Sequence, residues 1–188
     1  MTWFVVDGMD GSGKTTVSRT LKAELESRGR KVMLVEHPNR RTALGRVEAR
    51  LLQSDGLPAM LMAIAFYMMD VIRSVLKMKM DDEYDDVIFV RYIMAVSYLP
   101  DGLSKKAYKI FAGILPTPDV MILVDVDADT AYSRICGRGD DPERFENPES
   151  LADTRRKMLM LSNGWVVLDN TGGFDKSCDE ICRLLEDL

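Results

Sequence analysis

Cysteine and histidine are scarce in this sequence. Its 188 residues include three cysteines, which cannot pair evenly, and a single histidine that lies far from all of them. Cys178 and Cys182 are four residues apart, as neighbours on a helix face. We expect these two and Cys136 to be buried structural residues, with a metal or redox role as the alternative.

Long hydrophobic runs are also absent. No apolar run reaches 18 residues, and the longest near-candidate, residues 57–72, is interrupted by Asp70 and is too short to span a bilayer. The first residues lead straight into an apolar strand, without the basic and then apolar segments of a signal peptide. We therefore expect a cytoplasmic protein that does not bind a membrane.

Basic residues are outnumbered by acidic ones. The chain has 25 lysines and arginines against 30 aspartates and glutamates, a net charge of −5 and a pI of about 5.0. Such a chain is a poor candidate for nucleic-acid binding, although a few local arginines can still hold small phosphorylated ligands. Its length and its 46% hydrophobic content fit one globular domain, residues 1–188.

What the sequence does contain is a regular alternation of strand and helix patterns. Strands are predicted at residues 2–7, 31–36, 86–92, 119–126 and 165–170, and helices at 14–29, 42–54, 58–79, 103–114, 128–137, 150–162 and 176–188. This alternation is typical of a parallel sheet covered by helices on both faces. We therefore predict an α/β fold, a five-stranded parallel sheet in a three-layer sandwich, with a charged lid segment at about 138–150.

Methionine is abundant, with 13 residues concentrated at 60–80 and 158–160. Flexible methionine side chains commonly fill irregular gaps in a core, and we favour that interpretation. The alternative is an adaptable ligand pocket lined by the helix at 58–79.

A phosphate-binding motif follows the first strand. Residues 8–15, GMDGSGKT, fit the pattern G-x-x-x-x-G-K-[ST] between a predicted strand and a predicted helix, which is the context that the motif requires. Its glycines let successive backbone N–H groups turn towards phosphate oxygens, and the helix N-terminus adds a partial positive charge. We expect Lys14 to reach the β- and γ-phosphates of a nucleoside triphosphate, and Thr15 to hold Mg²⁺ through its hydroxyl.

Other features favour phosphoryl transfer to an anionic acceptor. The N-K-x-D motif of GTP switch proteins is absent, and the fourth strand ends in VDVDAD, without the catalytic glutamate of motor ATPases. Phosphoryl transfer chiefly needs positive charge around the transferred group. Six arginines lie in expected loops or near their ends: Arg40, Arg41, Arg91, Arg134, Arg138 and Arg144.

Four segments, in order along nearly the whole chain, resemble the thymidylate kinase family of nucleoside monophosphate kinases. They are FVVDGMDGSGKTT (4–16), HPNRRT (37–42), VRYIMAVSY (90–98) and PDVMILVDVDADTAYSRICGRGDDPERFE (118–146). The resemblance implies the α/β sandwich of P-loop kinases, ATP and Mg²⁺ as cofactors, and phosphorylation of a deoxynucleoside monophosphate, most of all dTMP. It also implies a homodimer formed by helices packed side by side, for which the helix at 58–79 is the expected interface.

The resemblance assigns the ATP site and the catalytic groups. Arg134 lies near the adenine, and the phosphates are held by Gly8, Met9, Asp10, Gly11, Ser12, Gly13, Lys14, Thr15 and Thr16. Because Gly11 stands where one subclass has a basic residue, the transition-state arginine is expected from the lid, whose closure excludes water. The implied catalytic residues are Lys14, Asp10, Arg91, Arg138 and Arg144.

The resemblance also assigns an acceptor site. Arg40 and Arg91 grip the acceptor phosphate with guanidinium forks. Asp10 faces the sugar near its 3′-hydroxyl, and Tyr98 packs against the deoxyribose. The remaining acceptor-binding residues are Pro38, Phe66 and Tyr92.

Two departures from the family pattern leave alternatives open. Val90 replaces the aspartate that assists Mg²⁺, which leaves oxygen ligands to Thr15, Asp10 and either Asp7 or Asp125. The base-stacking phenylalanine and base-reading arginine of the family fall near Met60 and Ile64, and this helix has no arginine before Arg73; Phe66 or Tyr67 remains to stack on a base. The alternatives are a P-loop kinase of another small acceptor, and a nucleotide-binding protein with weak or no kinase activity.

Overall fold

The computed structural model describes residues 1–38, 56–139, 145–172 and 174–186. Its five strands are β1 (Thr2–Asp7), β2 (Val32–Glu36), β3 (Asp86–Val90), β4 (Val120–Asp125) and β5 (Val166–Asp169). They form one parallel sheet in the order β2-β3-β1-β4-β5. The prediction of a five-stranded parallel α/β fold is therefore confirmed.

The described helices match the predicted ones closely. They are α1 (Lys14–Ser27), α2 (Leu57–Lys79), α3 (Leu103–Ile114), α4 (Ala128–Cys136), α5 (Pro148–Leu161) and α6 (Phe174–Glu186). A 3₁₀-helix at Met94–Tyr98, which the sequence patterns did not predict, follows β3. The helix predicted at 42–54 lies outside the described residues.

Two separate cores cover the faces of the sheet. Because successive strand residues point to opposite faces, Trp3 and Val5 of β1 pack with α2, α5 and the 3₁₀-helix, while Phe4 and Val6 pack with α1 and α6. β1 is flanked by β3 on one side and β4 on the other. The connections that leave β1 and its neighbours therefore run to opposite sides of the sheet. α/β proteins bind ligands in the crevice that forms at such a place, beside the carboxyl ends of the strands.

The last residues of the segment that we predict as a lid, at about 138–150, belong to helix α5. Asn147 caps α5 by accepting a hydrogen bond from the Ser150 N–H at 2.9 Å, and Pro148 occupies the first helical turn. The helix therefore begins at Pro148, two residues before the predicted start. Residues 140–144 of the segment lie outside the described part of the chain.

The methionines of α2 divide between the core and the surface. Met68 and Met78 are buried, whereas Met62 and Met69 are about half exposed, at 51% and 44%. The exposed methionines belong to an apolar stripe on the outer side of the helix, formed by Leu57, Leu61, Met62, Met69, Ile72, Leu76 and Met80. Core filling is thus only part of the explanation for the methionine content, and among the described residues the stripe is an exposed apolar face.

By length and composition alone, α2 also qualifies as a membrane span, and it is the one helix in the described ranges that does. Its most apolar 18-residue window has a mean hydropathy of 1.7 and is 39% buried. A core helix can pass the same test, and Asp70, near the middle of α2, is buried against the protein. This property is weak evidence for a membrane segment.

The expected burial of all three cysteines is wrong. Cys136 is exposed, and Cys178 and Cys182 are partly buried. Cys136 is the last residue of α4; it directly follows the buried Ile135, and its own side chain faces solvent.

Candidate active site

The phosphate loop joins β1 to α1 and owes its shape to its glycines. Gly11 and Gly13 have φ values of 75° and 91°, in the left-handed region that side chains disfavour. A Cβ at Gly11 would lie 2.4 Å from the carbonyl oxygen of Ala131, and one at Gly13 would lie 2.4 Å from Asn170 Nδ2. Both positions therefore require glycine for conformation and for space, and the loop packs directly on α4 and on the end of β5.

Lys14 is turned inward beneath this loop. Its ammonium donates to the Met9 carbonyl at 3.0 Å and pairs with Asp10 Oδ1 at 3.2 Å. Burial and the neighbouring charge of Arg91 lower the pKa of Lys14 to about 8, although Asp10 and Asp7 oppose the shift. A phosphate would supply the negative charge that favours the protonated amine. The side chain of Met9 lies in the core, so only its backbone serves the loop.

Asp10 is the centre of the polar network. Its Oδ1 accepts from Arg91 Nη2 at 2.5 Å and from Lys14, and its Oδ2 accepts from the Tyr98 hydroxyl at 2.7 Å. Burial alone would raise the pKa of Asp10, but the charges of Arg91 and Lys14 and the hydrogen bonds from Arg91 and Tyr98 hold it well below its ordinary value. The carboxylate is ionised and joins three elements: α1, the end of β3 and the 3₁₀-helix.

Arg91 directly follows β3 and has an unusual backbone conformation. Its φ of 68° is the one positive value among the non-glycine residues of the described ranges, which is why β3 ends at Val90 rather than at 92 as predicted. Its N–H donates to the Val6 carbonyl at 2.9 Å. Burial would lower the pKa of the guanidinium, but the charges of Asp10, Tyr98 and Asp7 and the hydrogen bond to Asp10 together raise it, so Arg91 is a fixed cation at this edge of the sheet.

The carboxylates expected as metal ligands are already engaged. Asp7 is buried and accepts from the Gly8 N–H at 2.9 Å and from the Tyr92 N–H at 2.8 Å. Burial raises its pKa despite these hydrogen bonds. Asp125 accepts two hydrogen bonds from the Arg155 guanidinium, at 2.8 and 2.7 Å. In the described ranges no group of three histidine, cysteine or acidic side chains is placed to hold a metal ion.

An open cleft of about 1140 Å³ runs from the phosphate loop to α2. On the loop side it is lined by Lys14, Thr15 and Thr16, with Arg91 and Arg138 beside them. The wall formed by α2 consists of Asp70, Arg73, Ser74 and Lys77, whose spacing places them on one helix face. This wall is polar, although the helix as a whole is apolar.

Several predicted site residues reach this region. Pro38 lines the cleft. Arg138 Nη1 lies 3.4 Å from Glu146 Oε1, and Arg134 Nη2 donates to the Asn170 carbonyl at 2.9 Å beside Gly13. Arg40 and Arg144 lie outside the described residues.

Three described residues that were predicted to bind the acceptor do not line the cleft: Phe66, Tyr92 and Tyr98. Tyr92 is 1% exposed, its hydroxyl donates to the Pro116 carbonyl at 2.7 Å, and its ring packs edge-on against Trp3. It is a core residue because the turn at Arg91 directs it to the opposite side of the chain. Phe66 is half-buried on α2, outside the cleft wall. Met60 and Ile64 do not belong to that wall either.

Asn170 is a site residue that sequence reasoning missed. Its Nδ2 donates to the Ser12 carbonyl at 2.7 Å, its Oδ1 accepts from Ser177 Oγ at 2.7 Å, and its N–H donates to the Asp125 carbonyl at 2.8 Å. Arg134 also donates to the carbonyl of Asn170. Through Asn170, these bonds connect the phosphate loop to β4, α4 and α6. The only signal in the sequence is an asparagine at the end of the last predicted strand.

Comparisons with known proteins agree with this geometry. A family model described as thymidylate kinase matches residues 6–181. The thymidylate kinase of Xanthomonas campestris pv. campestris (strain B100) is 30% identical over 182 residues, covering 90% of this chain and 76% of the relative. A probable thymidylate kinase 1 of Saccharolobus solfataricus is 28% identical, covering 96% and 95%.

A solved structure has the same fold. The thymidylate kinase of Candida albicans superimposes with a TM-score of 0.77 at 20% identity, covering 99% of this chain and 91% of that one. The likeness supports the order and packing of the elements.

Proposed function

This chain belongs to the thymidylate kinase family, and we propose that it transfers the γ-phosphoryl group of ATP to a deoxynucleoside monophosphate, first of all dTMP, giving dTDP and ADP. The observation that carries the proposal is the Asp10 network. A single carboxylate binds the lysine of the phosphate loop and also Arg91 at the end of β3 and Tyr98 of the 3₁₀-helix. A kinase needs this connection, because donor and acceptor phosphates must meet in line.

The residues of the proposed site divide the work of transfer. Lys14 and the backbone N–H groups of residues 8–15 hold the ATP phosphates, with Arg134 beside the loop for the adenine side. Arg91, together with Arg40, binds the acceptor phosphate, and Asp10 and Tyr98 face its sugar. Arg138 and Arg144 belong to a lid on a single kinase domain and neutralise the charge of the transition state.

Mg²⁺ is proposed to bind with the nucleotide rather than before it. Thr15 offers its hydroxyl at the start of α1 and lines the cleft, while Asp7, Asp10 and Asp125 already have partners within the protein. This set fits an ion held by one hydroxyl, substrate phosphates and water, as is common for Mg²⁺. Bound there, the ion would neutralise charge on the β- and γ-phosphates.

A coupled assay of ADP release tests the proposed function. Turnover is measured with dTMP, dUMP, dCMP, dGMP, dAMP and their ribose forms. We expect activity with dTMP and a preference for deoxyribose, because Tyr98 is held on Asp10 where a 2′-hydroxyl would approach. A folded protein that binds ATP and phosphorylates none of these acceptors would contradict the proposal.

A kinase of another small acceptor is the second candidate. The observation that favours it is the cleft wall on α2, where Asp70, Arg73, Ser74 and Lys77 present charged and hydrogen-bonding groups. A thermal-shift screen of phosphorylated metabolites discriminates between the two candidates, because a ligand stabilises the state that it binds. Stronger stabilisation by another metabolite than by dTMP at equal concentration would favour the second candidate.

Weak catalysis is the third candidate, and Val90 motivates it. Its side chain is 3% exposed at the end of β3, between Val6 and Glu36 of the neighbouring strands. Val90→Asp would place a carboxylate at the edge of the metal region. A large gain in turnover would identify a weakened enzyme, whereas no turnover before or after the change would identify a binding protein.

We further propose a cytoplasmic homodimer formed through α2. The apolar stripe of α2 is exposed in the described part of the chain, and burying it against the same stripe of a second copy gives a two-fold interface. Light scattering after size exclusion should give about twice the monomer mass for the wild type and the monomer mass for Ile72→Glu/Leu76→Glu. A monomeric wild type would refute the dimer.

A further inference from the structure

His37, the only histidine of the chain, lies directly after β2 and connects two walls of the cleft. Its ring is buried, with Nδ1 3.2 Å from the Arg91 carbonyl oxygen and Nε2 2.9 Å from Ser74 Oγ on α2. The ring packs edge-on against Phe89, with centroids 5.1 Å apart. Its orientation is therefore set by packing as well as by hydrogen bonds.

The two neighbours determine the protonation pattern of the ring. The Arg91 carbonyl only accepts, so Nδ1 carries the hydrogen. Burial lowers the pKa of His37, against the opposing charge of Asp70, and the neutral ring then leaves a lone pair on Nε2. The Ser74 hydroxyl donates to that lone pair.

The hydrogen bond from His37 ends on Arg91, the residue whose backbone conformation is unfavourable. A φ of 68° is costly for an arginine and persists only when its surroundings hold it. Two hydrogen bonds do so, one from the Arg91 N–H to the Val6 carbonyl and one from His37 to the Arg91 carbonyl. In this conformation Arg91 Nη2 lies 2.5 Å from Asp10 Oδ1.

We propose that His37 is a positioning residue for the acceptor phosphate: its Nδ1–H holds the Arg91 carbonyl, and with it the guanidinium, in the geometry that meets Asp10. The bond from Ser74 to Nε2 fixes the same ring to α2, so the polar wall and the arginine keep a constant separation. The inference rests on the proposed role of Arg91 in binding the acceptor phosphate.

Three substitutions of His37 test the proposal by steady-state kinetics. His37→Ala should raise the KM for the acceptor about tenfold or more and change the KM for ATP less than about twofold. His37→Asn keeps an N–H near the place of Nδ1 and should recover most of the acceptor affinity. His37→Gln places its amide near Nε2 instead and should recover little.

A purely structural role predicts a different pattern. Asparagine and glutamine would then behave alike, and both KM values would change together with the melting temperature. Tyr108→Phe is the control, because it removes another partly buried hydrogen bond of an aromatic side chain, the 2.9 Å bond from Trp165 Nε1 to the Tyr108 hydroxyl, away from the cleft. It should leave both KM values unchanged.

A measurement made without substrates keeps this inference separate from the proposed function. Side-chain NMR of ¹⁵N-labelled arginine, assigned with Arg91→Lys, should show an ordered Arg91 guanidinium in the wild type and in His37→Asn, and a mobile one in His37→Ala. If no acceptor is phosphorylated but this pattern appears, the proposed function fails and the positioning role stands. An ordered Arg91 and an unchanged acceptor KM in His37→Ala would overturn the positioning role.

Discussion

The two sides of the cleft are built in different ways. On the donor side, the phosphate loop spans residues 8–15 and its shape follows from glycines within the same eight residues. On the acceptor side, Asp10 meets Arg91 and Tyr98 across 81 and 88 positions of sequence, and His37 meets Arg91 across 54. A local motif can thus be identified from the sequence, whereas a site assembled from strand ends depends on the sheet that brings them together.

Removing Lys14 should break the donor side most severely. Lys14→Ala loses the ammonium that reaches the transferred phosphoryl group, and we expect turnover to fall by about 10³-fold or more. Circular dichroism should show an intact fold. Lys157→Ala is the matched control: this lysine is equally buried but bonds to the Leu99 carbonyl at 2.8 Å, so its loss should lower stability and leave turnover of the folded protein nearly unchanged. Normal turnover of Lys14→Ala would remove the phosphate-loop assignment.

Removing Arg91 should affect the acceptor side alone. Arg91→Ala deletes the fork and leaves Asp10 with Lys14 and Tyr98, so we expect kcat/KM for the acceptor to fall about 10²-fold while the KM for ATP stays within about threefold. Arg91→Lys keeps the charge but lacks the guanidinium fork, so its kcat/KM for the acceptor should lie between the values of the wild type and Arg91→Ala.

The control for Arg91 is another arginine that pairs with a carboxylate at a strand end. Arg155→Ala removes the fork on Asp125 and should not change the KM for the acceptor. Equal losses for ATP and the acceptor in Arg91→Ala would show that the two sides of the cleft are not separable.

Asn170→Ala tests whether the donor side also depends on tertiary contacts. Without the Nδ2 bond to the Ser12 carbonyl, the loop loses its anchor on the end of β5, and we expect the KM for ATP to rise about tenfold. The KM for the acceptor should not change. Ser177→Ala removes only the hydroxyl that orients the amide and should cause a smaller rise. An unchanged KM for ATP would mean that the loop holds its shape through its glycines alone.

The pH dependence of activity gives the mildest test. Lys14 has a pKa of about 8 in the free protein, so kcat/KM for ATP, which reports the free enzyme, should be half-maximal near that pH and decline above it. The unfolded chain keeps this proton up to a pKa of about 10.4. Between the two values the unfolded state binds more protons, so this group makes the folded state more stable as pH rises.

Activity and this group's contribution to stability therefore change in opposite directions above pH of about 8. Stopped assays and thermal melts at matched pH values measure the two quantities separately. An activity that persists to pH of about 10 would show that Lys14 stays protonated before ATP binds, contrary to the effect of burial.

Two expectations that the structure does not support, for Tyr92 and for the methionines of α2, share one physical cause. The family resemblance placed Tyr92 in the acceptor site, but the positive φ at Arg91 turns this next side chain into the core. The methionines of α2 were expected mainly to fill the core. Met62 and Met69 are instead about half exposed, because they lie on the outer side of the helix. Which side of an element faces the core depends on its neighbours, and single residue types do not specify those neighbours.

The sequence by itself determined the strand and helix alternation, the phosphate loop and the kinase family, because these depend on periodicity and on contiguous residues. The tertiary structure decided that Asp10 binds Arg91 and Tyr98, that Asp7 and Asp125 are engaged within the protein, and that His37 holds the Arg91 backbone. The physical reason is that parallel strands end at one edge of the sheet. That edge brings together residues whose separation along the chain gives no sign of their contact.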